Sequence, residues 1–262
     1  MPRTIGLKRI AGMLAGASAF LLAAPATAQE AEAPTRTAGQ ITVYGWLAGY
    51  GGDITPGPGQ PTFSVSKGFG EIFEDLDGAF FATGFVRRDR VVFMADLSHS
   101  SARKQAAVPT GLPPPFPPAV PAEARLKQTS LTALAGYRIG NDGRNTFDAL
   151  GGVRAWWVRP GLEVPALAVD RSPDVDFVDP IIAARANFGL GRNLSAIAYA
   201  DLGGLGAGSD LTVQLVGTLN ARVSRSIWVS GGYRYLLVDY KKNGIEVDSR
   251  LGGPLIGVTV AF

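Results

Sequence analysis

His99 is the single histidine of the 262-residue chain. It stands in the run Asp96-Leu97-Ser98-His99-Ser100-Ser101. A histidine with an orienting carboxylate and a hydroxyl nucleophile in reach is the minimum set for general-base or acyl-transfer chemistry. The residue types are present, but no spacing motif joins them. The plainer reading is a histidine in a polar hairpin at a rim, so no catalytic residue is assigned. An outer-rim enzyme using His99 stands as an alternative. One histidine and no cysteine offer no transition-metal ligand set. The run Gly203-Gly204-Leu205-Gly206-Ala207-Gly208 opens no helix after a parallel strand, so it is not a phosphate cradle. No cofactor and no metal are expected.

The other residues with chemical potential are charges spaced inside apolar segments. Val178, Ile182, Ala184, Phe188 and Leu190 alternate with Asp179, Arg185 and Asn187. Leu194, Ala196, Ala198, Ala200 and Leu202 set Tyr199 and Asp201 on the opposite face. The same parity opposes Gln214, Thr218, Asn220 and Arg222 to Leu211, Val213, Leu215 and Leu219. It opposes Ser230 and Arg234 to Val229, Tyr233 and Tyr235, and Asp148 and Arg154 to Ala149, Val153 and Trp157. Asp96 belongs to the same polar face. A period of two is a strand signal, and a strand with one apolar and one charged face must separate two environments.

The elements that position these charges read as ten strands at about 40–50, 78–86, 91–101, 126–139, 146–158, 177–190, 194–203, 211–223, 227–240 and 247–262. Thr62–Lys67 could pair with a neighbour, so eight or twelve strands are the alternatives. The last strand carries Ile256, Val258, Val260 and Phe262 on one face and ends the sequence given. A long apolar edge invites aggregation in water, but it is at home in a closed barrel whose apolar face meets lipid. The fold expected is all-β: a single antiparallel up-and-down transmembrane β-barrel. Short connections at 87–90, 140–145, 191–193 and 224–226 alternate with longer ones at 51–77, 102–125, 159–176 and 204–210. The short connection at 241–246 breaks that contrast. Short periplasmic turns and longer outer loops are outer-membrane topology, and an even strand count puts both termini in the periplasm. Tyr137, Phe147, Phe188 and Trp228, with Phe262, would form the periplasmic aromatic girdle. Trp156, Trp157, Tyr235 and Tyr240 would form the outer one.

The N-terminus reads as a cleaved signal at 1–28. Arg3, Lys8 and Arg9 precede an apolar run at 10–24 and the small-x-small site Ala26-Thr27-Ala28. Residues 29–39 read as a flexible lead-in and 40–262 as the barrel. Loss of the signal lowers the 25 basic residues to 22, level with the 22 acidic ones. The high isoelectric point therefore gives no case for a nucleic-acid partner. Without cysteine there is no disulfide framework, and stability must come from burial and backbone pairing.

Four further expectations follow. Pro180 and Pro254 lie inside strands and predict local ladder breaks near the outer rim. The proline-rich stretch in 108–121 reads as a stiff outer cap, with a recognition loop as the alternative. Ile72, Phe73 and Leu76 among acidic residues read as an amphipathic turn that could plug the mouth or meet a partner. The lumen would hold Asp96, Asp148, Asp179 and Asp201 against Arg154, Arg185, Arg222 and Arg234. In a narrow interior such charges must be paired. They read as a salt-bridge network filling the barrel.

The signal with Ala26-Thr27-Ala28, the stretch Asp179-Pro180-Ile181-Ile182-Ala183-Ala184-Arg185, and Gly232-Tyr233-Arg234-Tyr235 leading to the terminal strand at 253–262 resemble small proteobacterial outer-membrane β-barrel proteins, the group of OmpA-like, OmpW-like and opacity-type barrels. The resemblance implies a bacterial outer-membrane address, outer-membrane lipid around the wall, and the barrel-assembly machinery as a partner that reads Phe262. It implies no single activity. The expected role is structural or one of surface interaction, with an unknown extracellular ligand. A narrow gated pore for small or hydrophobic solutes is a further alternative.

Overall fold

Alternation of apolar and polar side chains carries the backbone through a continuous antiparallel ladder. The computed structural model describes residues 37–262 except 56–57, 59–61, 69, 72–75, 110–116, 118, 168, 172–173 and 243. The expected signal, most of the lead-in, most of the amphipathic turn and most of the proline run lie outside the described residues.

The strands are β1 (Thr37–Trp46), β2 (Gly49–Thr55), β3 (Phe63–Lys67), β4 (Leu76–Arg88), β5 (Val91–Pro109), β6 (Ala119–Asn141), β7 (Asn145–Val164), β8 (Val169–Arg171), β9 (Val175–Gly189), β10 (Leu194–Gly204), β11 (Leu211–Arg222), β12 (Ile227–Lys242) and β13 (Ile245–Ala261). The wall runs β1-β4-β5-β6-β7-β9-β10-β11-β12-β13, and β13 pairs back onto β1, with Gln40 opposite Ala261 and Trp46 opposite Leu255. That is a closed barrel of ten strands. Closure leaves no edge. Phe262 completes the seam: Gly39 N–H donates to the Phe262 carbonyl at 2.7 Å, and Phe262 N–H donates to Gly39 O at 2.9 Å.

The two faces of the wall differ throughout. Outward side chains include Ile41, Val43, Phe93, Val153, Val178, Ile182, Leu219, Ile256 and Val258, all exposed. No charged residue stands among them between the level of Arg88 and Asn145 at one end and that of Lys127, Arg159 and Asp176 at the other. A rise of about 3.3 Å per residue and a tilt of about 40° separate Val178 from Phe188 by about 25 Å along the axis. A transmembrane barrel has an apolar band of that height. The inward face buries Asp96, Asp148, Arg154, Asp179, Arg185, Asp201 and Arg234 beside Phe85, Val92, Leu134 and Ile181.

Each proline interrupts its ladder on one side only. β1 breaks from β2 at Leu47–Ala48, opposite Gly253 and Pro254, whereas the β12 side keeps register through Tyr233↔Pro254. The β9–β10 ladder ends at Ile181, but Val153↔Pro180 stays in register on the β7 side. In an antiparallel strand a residue directs its N–H and C=O to the same neighbour. A missing N–H is therefore felt by that neighbour alone.

Two expected loops are strand instead. β5 and β6 stay paired out to Pro109↔Ala119, and β7 continues to Val164 with β8 beside it. Residues 102–109, 119–125, 159–164 and 169–171 thus form a sheet standing beyond the band, with Val120, Ala122 and Val164 packed together. β3 pairs β2 and extends the β13 side in the same direction.

Candidate functional site: the lumen

Neighbouring strands bring the inward charges into three clusters. In the first, Arg234 on β12 reaches across to Asp96 on β5. Its Nη2 donates to Gln214 Oε1 at 2.6 Å and lies 3.4 Å from Asp96 Oδ1, and its Nη1 donates to Ser98 Oγ at 3.2 Å and to the Tyr44 hydroxyl. Asp96 accepts from Thr83 Oγ1 at 2.6 Å and from the Tyr44 hydroxyl at 2.9 Å. The guanidinium also lies over the Trp46 ring, 4.7 Å from its centroid. β12 and β5 are four places apart around the wall, so this contact spans the barrel.

In the second cluster Arg154 forks onto Asp201, Nη1–Oδ1 at 3.2 Å and Nη2–Oδ2 at 2.5 Å, and its Nε donates to Thr132 Oγ1 at 2.8 Å. Tyr199 donates its hydroxyl to Asp201 Oδ2 at 2.7 Å. In the third, nearer the turn between β6 and β7, Arg138 forks onto Asp148 at 2.7 and 3.2 Å, and Arg185 stands 3.5 Å from the same carboxylate. The Arg185 guanidinium lies over the Phe85 ring across the lumen, 4.3 Å from its centroid. Buried ions are costly unless partners take up their hydrogen bonds; Asp96, Asp201 and Arg154 are met in this way, whereas Arg185 is met only in part.

Above them rings stack across the lumen. Trp156, Phe177 and Tyr240 stack in series with centroids 5.8 and 4.8 Å apart, beside Leu236 and Val238. Asp179 sits here, fully buried and with no arginine on its carboxylate. It accepts Trp156 Nε1 at 3.2 Å and the backbone N–H of Ser209 at 2.7 Å. The second bond draws the 204–210 connection inward. That connection needs its glycine, because a Cβ at Gly204 (φ 87°) would lie 2.4 Å from Ser209 Oγ. Below the first two clusters and beside the third lies a cavity of about 110 Å³, lined in part by Thr42, Met94, Arg185, Val216, Thr218 and Arg234.

Seven of the eight charges expected in the lumen are buried there. Arg222 is not. It shares their parity, but it is exposed on the last rung before the 223–226 turn, stacked on Trp228 at 4.7 Å. Trp228 also corrects an expectation. It lies directly opposite Arg222, on the face of Ser230 and Arg234, so it belongs to the mouth of the lumen and not to a lipid-facing girdle. Tyr137, Phe147 and Phe188 do lie on the outer face, the last two edge to face at 5.7 Å. At the other end Trp157 faces outward, whereas Trp156 and Tyr240 are lumen residues. Parity also placed Arg138 inward opposite Asp148, a signal available but unused. Tyr44 was legible as an aromatic but not as a hydrogen-bond donor to Asp96.

His99 and Asp96 are not brought together. His99 is on the outer face, between Phe80 and Thr129, with Nδ1 2.8 Å from Thr129 Oγ1, while Asp96 points into the lumen. The set required for general-base chemistry is not assembled at this position. Among the described residues no group of three His, Cys, Asp or Glu side chains could hold a metal ion.

Comparison with known proteins found no matching family model and no matching curated protein. Among solved structures, the chain is similar to the outer membrane protease OmpT of Escherichia coli, with 10% identity, 86% of this chain and 97% of that chain covered, and a TM-score of 0.49. It is similar to the translocator domain of autotransporter NalP from Neisseria meningitidis, with 13% identity, full coverage of both chains and a TM-score of 0.43. It is also similar to Ail, the attachment invasion locus protein of Yersinia pestis, with 11% identity, 86% and 99% coverage and a TM-score of 0.35.

Proposed function

We propose that this chain is a bacterial outer-membrane barrel with a closed lumen, both termini in the periplasm, and a structural or surface-interaction role. The observation that carries the reading is the Arg234–Asp96 contact across the barrel, backed from above by the Trp156–Phe177–Tyr240 stack. An eight-stranded barrel is filled by side chains and an aqueous porin channel needs about sixteen strands, so ten lies near the filled end. The orientation is supported by the unequal ends of the wall. The end bearing Thr37 and Phe262 has short turns, while the other carries the sheet formed by β5, β6, β7 and β8.

That outer sheet is where a surface role would be exercised. Its exposed face is laced with paired charges: Arg125 with Glu123 and Glu163, Arg103 with Asp77 and Glu123, and Arg159 with Asp174 and Asp176. Exposed pairs contribute little stability each, but they keep a long two-faced sheet soluble. Phe262, exposed on the lipid side and closing the seam through Gly39, is the residue that the assembly machinery would read.

The test is conductance in planar bilayers. The purified barrel is expected to insert without unitary current steps at neutral pH. Reproducible steps of fixed size would overturn the closed lumen and favour the narrow-pore reading.

A further inference from the structure

The lower cavity has an unbalanced ceiling. Asp148 already accepts from Nε and Nη2 of Arg138, one on each carboxylate oxygen. Arg185, on the next strand, is left among the described residues with one hydrogen bond at 3.5 Å to that carboxylate and the face of Phe85. A guanidinium has five N–H donors, and this one is buried, 6% exposed. The fourth carboxylate that would balance the count, Asp179, is held away by Trp156 and Ser209. Arg185 is thus a surplus cation with free donors, and it lines the cavity. Arg234 lines the same space, and its Nε is buried with no hydrogen-bond partner among the described residues.

We infer that this cavity is a binding site for a short aliphatic monocarboxylate, with Arg185 as its anchor. The guanidinium fork matches a carboxylate in two parallel hydrogen bonds, which supplies the missing charge and fills the idle donors. The walls fit the rest of such a molecule. Met94, Ile197, Val216 and Leu255 offer an apolar flank, and the hydroxyls of Thr42 and Thr218 line the approach from the end that bears the termini. A cavity of about 110 Å³ holds several waters at about 10–15 Å³ each, or one acid of a few carbons in their place. The site goes beyond the closed-barrel reading, since it uses only the lower lumen and needs no passage.

The test titrates sodium butyrate into the full-length barrel in detergent by calorimetry, with butyramide as its uncharged counterpart. Butyrate is expected to bind saturably with a Kd of about 1 mM, near what a few heavy atoms can reach, and butyramide is expected to give no saturable heat. Arg185→Lys retains the cation but loses the fork, and should weaken butyrate at least tenfold. Val216→Phe fills the cavity without altering any charge, and should abolish binding. It carries the test if the lysine variant does not fold, as judged by circular dichroism. No saturable butyrate heat, equal heats from butyramide, or unchanged affinity in the folded variants would overturn the site. Loss of this site would leave the conductance result unaffected, so the two readings fail separately.

Discussion

Asp201→Ala isolates what the lumen charges contribute. The Arg154–Asp201 pair has side chains 2% and 0% exposed and a fork of 3.2 and 2.5 Å. Removing the carboxylate leaves Arg154 with Thr132 and the Trp156 ring, 5.9 Å away, and leaves the Tyr199 hydroxyl without an acceptor. Breaking one side of a buried ion pair costs about 3–5 kcal/mol, and a stranded buried hydroxyl adds to the same penalty. We expect a loss of about 4 kcal/mol. It would be measured by reversible urea unfolding in lipid vesicles at pH 7 and followed by tryptophan fluorescence, for which Trp156 is a close reporter. The double variant Arg154→Met, Asp201→Leu removes both charges and restores apolar volume. It should recover about half of the loss or more, the remainder being the Tyr199 hydroxyl that still lacks its acceptor at about 1–3 kcal/mol. A single variant costing under about 1 kcal/mol, or a double variant no more stable than the single one, would refute the assignment of Arg154 and Asp201 as mutually dependent buried ions.

Two further predictions separate features that look alike in sequence. Gly151 and Gly152 are neighbours, but a Cβ at Gly152 would lie 2.1 Å from the Ala133 carbonyl oxygen, while the nearest atom at Gly151 is 3.7 Å away. Gly152→Ala should therefore cost about 1–3 kcal/mol by the same unfolding assay, and Gly151→Ala should stay within about 0.5 kcal/mol. Asp142, in the turn between β6 and β7, accepts the N–H groups of Asn145 and Arg144 and the Asn145 side-chain amide, which hold its carboxyl below the usual range. A depressed folded pKa stabilises above the unfolded value and loses that contribution as pH falls. The melting temperature of Asp142→Ala should thus lie below the parent's at pH 7, and the gap should narrow below about pH 4.

The sequence made the wall legible because parity is a strong signal in a two-solvent structure. Alternation alone puts Asp179, Arg185, Tyr199, Asp201 and Arg234 on the inner face, and each is buried there. Height along the strand was less legible. Arg222 and Trp228 have inward parity, yet they stand on the last rung before a turn, where the lumen opens to water. The sheet beyond the membrane was hidden by its prolines. Pro109, Pro121 and Pro160 read as loop residues, but each stands where a paired strand flanks it on one side only among the described residues. A ladder tolerates a missing N–H at such an edge. What the lumen side chains do with their donors was not legible at all. Whether Asp148 serves Arg138, Arg185 or both depends on distances across the barrel that no spacing encodes.

The same charges account for why the barrel has one register. A strand slipped by one residue exchanges its faces. In a barrel with an apolar lumen that exchange would cost little, since apolar side chains would meet lipid in either arrangement. Here a slip of β12 would turn Arg234 toward lipid, a slip of β7 would turn Arg154 and Asp148, and a slip of β10 would turn Asp201. Near the bilayer midplane a lipid-facing arginine costs about 2–4 kcal/mol, and each slip would also strand a partner inside. Buried ion pairs are weak contributors to stability when compared with well-packed apolar side chains. Their contribution here lies in the gap between the native pairing and its one-residue neighbours, and it is spread over strands on both sides of the β1–β13 seam.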